Sequence, residues 1–345
     1  MCLVVFQAVL SISCSNSGSE KEIVILSWNV QNFFDDVDNG TEYWEFDPSN
    51  EKWNYDLFNR KAAAIAEVIA ASTPGGPDIV LLQEVENMNA LELLDDGYLK
   101  SFGYETVLFM PTEGAAVGNG VLSRHPVIYA CGHGVNHNGK DVGRNIAEIK
   151  VRGGPDAGII RIFVNHWKSK LGGAEETEIM RARAAELLGS LILEASAEDD
   201  FVIAAGDFNE SHDEFEKINR AYLTAIMPFS PEGPEEESGR LYYSASVDDV
   251  IENPGRVLFN PWTEAECQGS YFYDGNWETI DQFFIGSRGF DGKGLEYSGF
   301  HTVKLNINTT AEGFPARWYS TSGAGCSDHF PILLRLKYGE PIPAH

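Results

Sequence analysis

Short apolar runs rich in Val, Ile, Leu and Phe recur along the chain, and runs of this length are typical of buried strands. They predict strands at Glu22–Leu26, Ile79–Leu82, Ile146–Val151, Ile159–Val164, Phe201–Ala205, Ile280–Ile285 and Ile332–Leu336. Apolar residues at helical spacing predict two amphipathic helices, one through Phe58, Ala62, Ile65 and Ile69 and one through Met180, Ala184, Leu187, Leu188 and Leu191. Strands and helices mixed without strict alternation favour layers of sheet and helix around one core.

Polar clusters follow the predicted strands. They are Ser27-Trp28-Asn29, Gln83-Glu84-Val85-Glu86-Asn87, Asn165-His166-Trp167, Gly206-Asp207-Phe208-Asn209, Asp281-Gln282 and Ser327-Asp328-His329. A carboxylate or amide at a strand end lies on the rim of a sheet, where a loop can aim it into a cleft. Each residue alone has an ordinary explanation as a turn residue, a helix cap or a surface charge. The whole series predicts that the clusters converge on one site, with oxygen ligands that suit a hard divalent cation.

This series of residues strongly resembles that of the endonuclease/exonuclease/phosphatase superfamily, which includes deoxyribonuclease I. The resemblance covers about Ile23 to Leu336, and its most specific parts are the Gly-Asp-Phe-Asn and Ser-Asp-His clusters. Two segments, Asn29–Asp35 and Val164–Lys170, resemble bacterial extracellular nucleases more closely. The resemblance implies an α/β (α+β) fold, a four-layered αββα sandwich of two mixed β-sheets flanked by helices, in a single domain at residues 22–338.

The resemblance also implies a metal site and a catalytic base. Glu84 and Asp328, helped by Asn29, would hold Mg²⁺ (or Mn²⁺ or Ca²⁺) against a nonbridging phosphate oxygen, where the cation neutralises growing charge. His329 would deprotonate or orient the attacking water, and Asp281 would hold and polarise its imidazole.

Further residues would act on the phosphate by the same resemblance. Asp207 would position the nucleophile or assist the leaving oxygen. Asn209 and His166 would donate hydrogen bonds to the phosphoryl oxygens, and His166 is also a candidate general acid. Arg144 would contact the phosphate, with a surface arginine at a strand edge as the alternative.

Two groups of residues near these clusters have competing interpretations. Lys168, Lys170, Arg181 and Arg183 could contact a polyanion, but for the two arginines the solvated face of a helix is favoured. In the insertion after the first strand, Trp44, Trp53 and Tyr55 could line a substrate cleft. A small core under the loop is the favoured interpretation.

The charge of the chain limits its modes of binding. Its 345 residues include 52 acidic and 25 basic side chains, which gives a formal net charge of -27. Nonspecific affinity for nucleic acid comes mainly from Lys and Arg that displace counterions, so a protein that passively coats nucleic acid is disfavoured. An enzyme that meets one phosphate through a bound cation is not excluded.

The N-terminal segment predicts export. Residues 1–13 are apolar and uncharged, and residues 14–21 are small and polar at first. We expect a signal peptide at 1–13, a polar tether at 14–21 and a short C-terminal tail at 339–345. The signal resembles the bacterial lipoprotein type, which would attach lipid at Cys14 and place the protein at the cell surface or in the periplasm. An ordinary signal and a secreted protein remain the alternative.

These observations predict a secreted or surface-anchored, divalent-metal-dependent phosphoesterase. The favoured activity is that of a nuclease that hydrolyses phosphodiester bonds of DNA or RNA by metal-assisted attack of water. One alternative is a phosphatase or phospholipase-C-like hydrolase acting on inositol phosphates or sphingomyelin. Another is a surface binding protein that keeps the fold without turnover. The site residues hold the phosphate and not the group attached to it, and no protein partner is implied.

Overall fold

The computed structural model describes residues 22–154, 158–198, 200–231 and 239–338. The predicted signal at 1–13, the tether at 14–21 with Cys14, and the tail at 339–345 lie outside the described residues. Within the described ranges the strands are β1 Glu22–Phe33, β2 Ile79–Val85, β3 Thr106–Met110, β4 Gly118–Ser123, β5 Val127–His137, β6 Lys140–Arg152, β7 Ile159–His166, β8 Phe201–Asp207, β9 Ile226–Pro228, β10 Leu241–Ser244, β11 Val257–Phe259, β12 Tyr271–Tyr273, β13 Asn276–Glu278, β14 Asp281–Ile285, β15 Leu295–Thr302 and β16 Ile332–Tyr338.

The helices are α1 Tyr55–Ala71, α2 Met88–Leu94, α3 Ala174–Ala197, α4 Glu214–Lys217 and α5 Val247–Glu252. A π-helical turn at Asp95–Leu99 follows α2, and 3-10 turns lie at Pro48–Asn50, Lys100–Phe102, Pro261–Glu264 and Ser287–Phe290. Asn54 caps α1, because its side chain accepts a hydrogen bond from the backbone nitrogen of Leu57. None of the helices in the described ranges is long and apolar enough to cross a membrane.

The strands form two large mixed sheets. One sheet has six strands in the order β15-β16-β1-β2-β4-β3, and the other has eight in the order β5-β6-β7-β8-β14-β11-β10-β9. A separate hairpin pairs β12 with β13. The N-terminal and C-terminal strands are neighbours, since β1 pairs with β16 in antiparallel register from Glu22↔Lys337 to Ser27↔Ile332.

Three apolar layers hold the sheets and helices together. The inner faces of both sheets pack on each other through residues such as Ile25 and Ile162. The outer face of the six-stranded sheet packs on α1 and α2, and that of the eight-stranded sheet packs on α3. The result is a helix, sheet, sheet, helix sandwich, which confirms the predicted fold class.

The two predicted helices and all seven predicted strands are present, but the strands extend further into polar sequence than the apolar runs indicated. β1 continues to Phe33, β7 to His166 and β8 to Asp207. The remaining strands were not predicted, because most are short or carry mixed polar residues. Trp53 is buried in the core beside α1, as expected, whereas Trp44 and Tyr55 are both 65% exposed and belong to no core.

The prediction of a solvated face for Arg181 is wrong. Its guanidinium is 1% exposed and pairs with Glu178 and Glu210, which are also buried. Arg183 does lie on the solvated face of α3, where it pairs with Glu186.

Candidate active site

The site is formed where the inner faces of both sheets change from apolar to polar. Alternate residues of a strand point to one face of the sheet, so the inner positions of each strand form a series with period two. These series run from apolar core into the polar clusters, as in Ile162, Val164 and His166 of β7, Ile203, Ala205 and Asp207 of β8, and Ile25, Ser27 and Asn29 of β1. The same alternation that builds the core therefore aims the polar side chains between the sheets.

Three adjacent strands of the eight-stranded sheet contribute a row of side chains. Asp207 on β8 is in register with His166 on β7 and with Asp281 on β14. A glycine must precede Asp207, because a Cβ at Gly206 would lie 2.0 Å from the backbone oxygen of Asn165 and the φ angle there is +132°. The glycine before Asp207 thus has a steric cause.

The loop before β16 brings His329 to this row. Its Nδ1 lies 2.8 Å from Oδ2 of Asp281, which also accepts a hydrogen bond from the Ser270 hydroxyl. The ring of Tyr271 stacks on the imidazole with centroids 4.5 Å apart. The Nδ1 contact fixes the ring so that Nε2 is the nitrogen left to face a substrate or water.

The six-stranded sheet contributes Asn29 and Glu84. The Asn29 amide nitrogen donates to Oε1 of Glu84 at 3.2 Å and to Oδ2 of Asp207 at 3.0 Å, so this side chain joins the two sheets. Glu84 has a left-handed φ of +64°, and its Oε2 accepts from the backbone nitrogen of Asn32, itself at φ +59°. Backbone conformations of this kind cost free energy and concentrate at functional sites.

Asn209 and Arg144 complete the surroundings of Asp207 and His166. The backbone nitrogen of Asn209 donates to Oδ1 of Asp207, and its side-chain nitrogen donates to the carbonyl of Trp167. Arg144 donates from Nη1 to Nδ1 of His166 at 2.9 Å, which leaves the His166 proton on Nε2. That nitrogen lies 3.6 Å from Glu84 and 3.7 Å from Asp207. Arg144 thus lies against the site histidine, and its contact with phosphate stays a prediction.

Burial and mutual charge shift the protonation of these groups. Burial raises the pKa of Asp207 to about 7, which nearby Asp281 reinforces and His329 opposes. Burial alone would lower the pKa of His329, but the ion pair with Asp281 and the charges of Asp207 and Asp328 outweigh it and raise that pKa to about 10. Burial, Arg144 and His329 hold the pKa of His166 well below its ordinary value. His166 is therefore a neutral hydrogen-bond donor at neutral pH, which favours that role over general acid.

Carboxylate oxygens, the ligands that a hard divalent cation takes, are concentrated in the site. Asp207, Asp281 and His329 offer ligand atoms within 4.8 Å of one another, and Oδ1 of Asp281 is buried without a hydrogen-bond partner. Glu84 and Asp328 are partly exposed, as a site open to substrate requires. Asn29 offers its amide nitrogen to the carboxylates, and its oxygen accepts from the backbone nitrogen of Gln31. The assignment of Asn29, Glu84 and Asp328 as ligands stays a prediction.

Sequence reasoning missed two residues behind the site. Lys61 is fully buried on α1, where its Nζ donates to the carbonyl of Gln31 and lies 5.1 Å from the Trp318 ring centroid. Burial lowers the pKa of Lys61 to about 7, although Asp328 and Glu84 both raise it. The second missed residue is Tyr271. Its hairpin could have been predicted from the sequence, because an Asp-Gly pair such as Asp274-Gly275 between aromatic residues is a common β-hairpin turn.

Comparisons with known proteins agree with this architecture. A family model described as the endonuclease/exonuclease/phosphatase family matches residues 24–338. No curated protein matches the chain in sequence. Among solved structures, D. rerio TDP2 complexed with single strand DNA product is 16% identical with a TM-score of 0.55, covering 92% of this chain and 100% of that one.

Two further structures are similar. The human Nocturnin catalytic domain with bound sulfate anion is 15% identical with a TM-score of 0.54, covering 92% of this chain and 93% of that one. An endonuclease/exonuclease/phosphatase family protein from Bacteroides thetaiotaomicron is 13% identical with a TM-score of 0.55, covering 94% and 100%. At these identities the likeness shows a common fold.

Proposed function

The chain belongs to the endonuclease/exonuclease/phosphatase family, and from this premise we propose that it is a divalent-metal-dependent nuclease that hydrolyses phosphodiester bonds of DNA or RNA. The observation that carries the proposal is the His329–Asp281 pair in one polar layer with Asp207, Asn29 and Glu84. A base, a second proton-transfer group of suitable pKa and a set of cation ligands are the parts that such hydrolysis needs.

The base in this proposal is Nε2 of His329. Asp281 holds Nδ1, so the proton of the attacking water can go only to Nε2. The pKa of about 10 means that the imidazole is protonated at neutral pH when the carboxylates around it are uncompensated. A cation bound at Glu84 and Asp328 would lower the pKa of His329, because its positive charge repels that of the protonated imidazole.

The metal ligands in this proposal are Glu84 and Asp328, with Asn29 beside them. A bound Mg²⁺ or Mn²⁺ would supply a Lewis acid for a nonbridging phosphate oxygen. We expect Glu84→Gln and Asp328→Asn each to raise the Mg²⁺ concentration that gives half-maximal activity by about tenfold or more, since each removes one anionic ligand.

The remaining residues hold the phosphate and the leaving group. His166 donates from Nε2, and Asn209 lies on the same side, beside Asp207. A pKa near 7 lets Asp207 exchange a proton at neutral pH, which suits protonation of the leaving oxygen. Arg144 contributes fixed positive charge behind His166.

The choice of nucleic acid over other phosphodiesters is supported by the D. rerio protein, whose structure is described with a single-stranded DNA product. The proposal extends to export of the protein, for which residues 1–13 are the support.

The test is hydrolysis of plasmid and single-stranded DNA and RNA with Mg²⁺ or Mn²⁺. His329→Ala should remove activity, since general base catalysis contributes about 10²–10⁴-fold. His133→Ala is the matched control, because His133 also pairs with a carboxylate, Glu148 at 2.7 Å, on a different part of the sheet. Intact nucleic acid at high enzyme concentration, with release of phosphate from inositol phosphates or of the head group from sphingomyelin, would refute the nuclease assignment.

A further inference from the structure

Lys61 is a fully buried lysine that the proposed chemistry does not use. It lies on α1, and its Nζ donates to the carbonyl oxygen of Gln31. Within the described ranges no carboxylate oxygen lies within 4.0 Å of that nitrogen, and the Trp318 ring centroid is 5.1 Å away. Removing an ammonium from water without a carboxylate partner costs free energy. A lysine in this position therefore requires an explanation beyond packing.

The carbonyl that Lys61 contacts belongs to a bulge of β1. Three residues of β1, numbered 30–32, lie opposite the single residue Glu84 of β2. Gln31 and Asn32 have left-handed φ angles of +52° and +59°. Residues other than glycine pay free energy for this conformation, which persists only where the surrounding contacts enforce it. The contacts of the bulge are therefore what keeps its shape.

A single peptide group joins Lys61 to Glu84. It lies between Gln31 and Asn32. Its carbonyl oxygen accepts the hydrogen bond of Lys61, and its N–H donates to Oε2 of Glu84 at 2.9 Å. The two bonds are on opposite sides of one planar group, so rotation of the group breaks both. They also polarise each other, because hydrogen bonds in series strengthen one another.

Rotation of this peptide is the change that Lys61 opposes. A half turn would bring φ of Asn32 from +59° to about −120°, which is an ordinary value for any residue. It would therefore relieve the left-handed conformation at Asn32. It would also take the N–H away from the Glu84 carboxylate and leave that side chain without its backbone partner.

The same bulge fixes Asn29. The backbone nitrogen of Gln31 donates to Oδ1 of Asn29 at 2.9 Å. The Gln31 side chain exchanges two hydrogen bonds with the backbone of Trp318, whose ring lies beside Lys61. The bulge thus holds the Asn29 amide as well as the Glu84 carboxylate, which are two of the three predicted ligands.

We propose that Lys61 is a positioning residue for the divalent cation, because it holds the peptide that orients the Glu84 carboxylate. The role needs the hydrogen-bond donor and not the charge, since a neutral amine still carries N–H groups. The charge acts in the opposite direction, because a positive charge within electrostatic reach of Glu84 repels a metal ion bound there. The inference rests on the proposed metal-dependent function.

The test measures binding of Mn²⁺ to the substrate-free protein, followed by the electron paramagnetic resonance signal of the free ion. Lys61→Met keeps the approximate length of the side chain and removes the donor. The matched control is Tyr104→Phe, which removes a buried hydrogen bond of the same kind, from the Tyr104 hydroxyl to the Pro77 carbonyl at 3.0 Å. Tyr104 packs in the same apolar layer, and Pro77 precedes β2 at the end remote from Glu84.

Lys61→Met should weaken Mn²⁺ binding about tenfold or more, the usual effect of losing a hydrogen bond that orients a ligand. The chain has many other carboxylates, so the binding that counts is the part that Glu84→Gln also weakens. In the Glu84→Gln background, Lys61→Met should cause little further loss, because Lys61 acts through that carboxylate. Tyr104→Phe should bind Mn²⁺ as the wild type does.

Stability and turnover separate positioning from a general loosening of the fold. In urea, Lys61→Met should be at least as stable as Tyr104→Phe, since loss of the desolvated ammonium offsets loss of the hydrogen bond. The Mg²⁺ concentration for half-maximal hydrolysis should rise in parallel with the loss of Mn²⁺ affinity. At saturating Mg²⁺, kcat should stay close to that of the wild type.

Asn32→Ala disturbs the same peptide from its other end, and it keeps the inference testable if Lys61→Met does not fold. Alanine adopts a left-handed φ less readily than asparagine, so the native orientation of the peptide is more easily lost. Binding of Mn²⁺ should weaken in this variant too. Unchanged binding would show that this peptide does not orient Glu84, and the inference would fail.

The outcomes separate this inference from the function beneath it. Unchanged or tighter Mn²⁺ binding in Lys61→Met would overturn the inference, since tighter binding means that the charge of Lys61 outweighs its hydrogen bond. An equal loss in Tyr104→Phe would also refute it. Both results leave the proposed function standing if the wild type cleaves nucleic acid with Mn²⁺. A wild type that binds Mn²⁺ and cleaves no nucleic acid overturns the nuclease alone, whereas one that binds no Mn²⁺ overturns both.

Discussion

Arg181 offers a quantitative test of how the loop that carries Asp207 and Asn209 is held. Its guanidinium donates to the carboxylates of Glu178 and Glu210, to the Thr177 hydroxyl, and to the carbonyls of Ala174 and Lys168. Glu210 directly follows Asn209 and also accepts from the backbone nitrogen of Ile226. One side chain therefore links the start of α3 to two loops of the site.

Replacement of Arg181 by Ala should lower the free energy of unfolding by about 3–5 kcal/mol, the usual cost of removing one partner of a buried ion pair. The cost arises because Glu210, fully buried, must either keep an uncompensated charge or take up a proton to lose it. Domains of ordinary stability unfold at about 5–15 kcal/mol, so this loss is a large fraction of the total. The matched change Arg183→Ala removes a pair that is about half exposed, 43% and 42% for its side chains, and should cost less than about 0.5 kcal/mol.

Urea denaturation followed by tryptophan fluorescence measures both changes, and pH gives an independent check. Burial raises the pKa of Glu210 well above its ordinary value, and loss of the Arg181 charge raises it further. The folded variant then holds a proton on Glu210 that the unfolded chain releases. The free energy of unfolding that Arg181→Ala loses relative to the wild type should therefore be largest at high pH and shrink as pH falls. Equal losses for the two arginine variants, or a deficit that grows on acidification, would refute this reasoning.

Three further predictions concern the site and its support. Asp281→Asn removes the charge that raises the pKa of His329, so the acid limb of the pH–kcat profile should move to lower pH while kcat falls by about 10²-fold or more. Burial raises the pKa of Glu86 from 4.5 to about 8, so its folded form holds a proton that the unfolded form loses, and stability should fall as pH rises across that interval. Glu86→Gln should flatten the dependence of the free energy of unfolding on pH over this interval, as measured by urea denaturation. An unchanged dependence would contradict the prediction. Gly206→Ala should destabilise by more than about 4 kcal/mol because of its 2.0 Å clash. Gly189→Ala on α3, where the added Cβ would meet only the Arg240 carbonyl oxygen at 4.0 Å, should not lower the melting temperature.

The sequence predicted the layers and the polar clusters because both depend on local patterns. The period-two series of β7, from Ile162 to His166, can be read without knowledge of the partner strand, and its continuation marks the site. Asp207 was predicted from its cluster at the end of an apolar run, whereas the steric need for Gly206 comes from the backbone of Asn165 on the neighbouring strand β7 and appears only in the fold.

Other features depend on contacts between distant segments and left little local signal. Arg181 was expected in solvent because arginine on a helix is usually solvated, and only the fold brings Glu210 to it. Lys61 was missed for the same reason, since the carbonyl it contacts, that of Gln31, lies in a left-handed irregularity of β1. Trp44 and Trp53 are nine positions apart in one insertion, yet one is exposed and the other buried.

The pairing of β1 with β16 decides where anything attached to this domain will emerge. Glu22 is opposite Lys337, and Asn29 lies seven residues further along β1, about 23 Å away at the rise of a strand. Both ends of the described fold therefore leave from the pole remote from the catalytic centre. A surface, a tag or a fused partner joined at either end would leave the mouth of the site pointing outward, so immobilisation through the termini should preserve access for a long polymer.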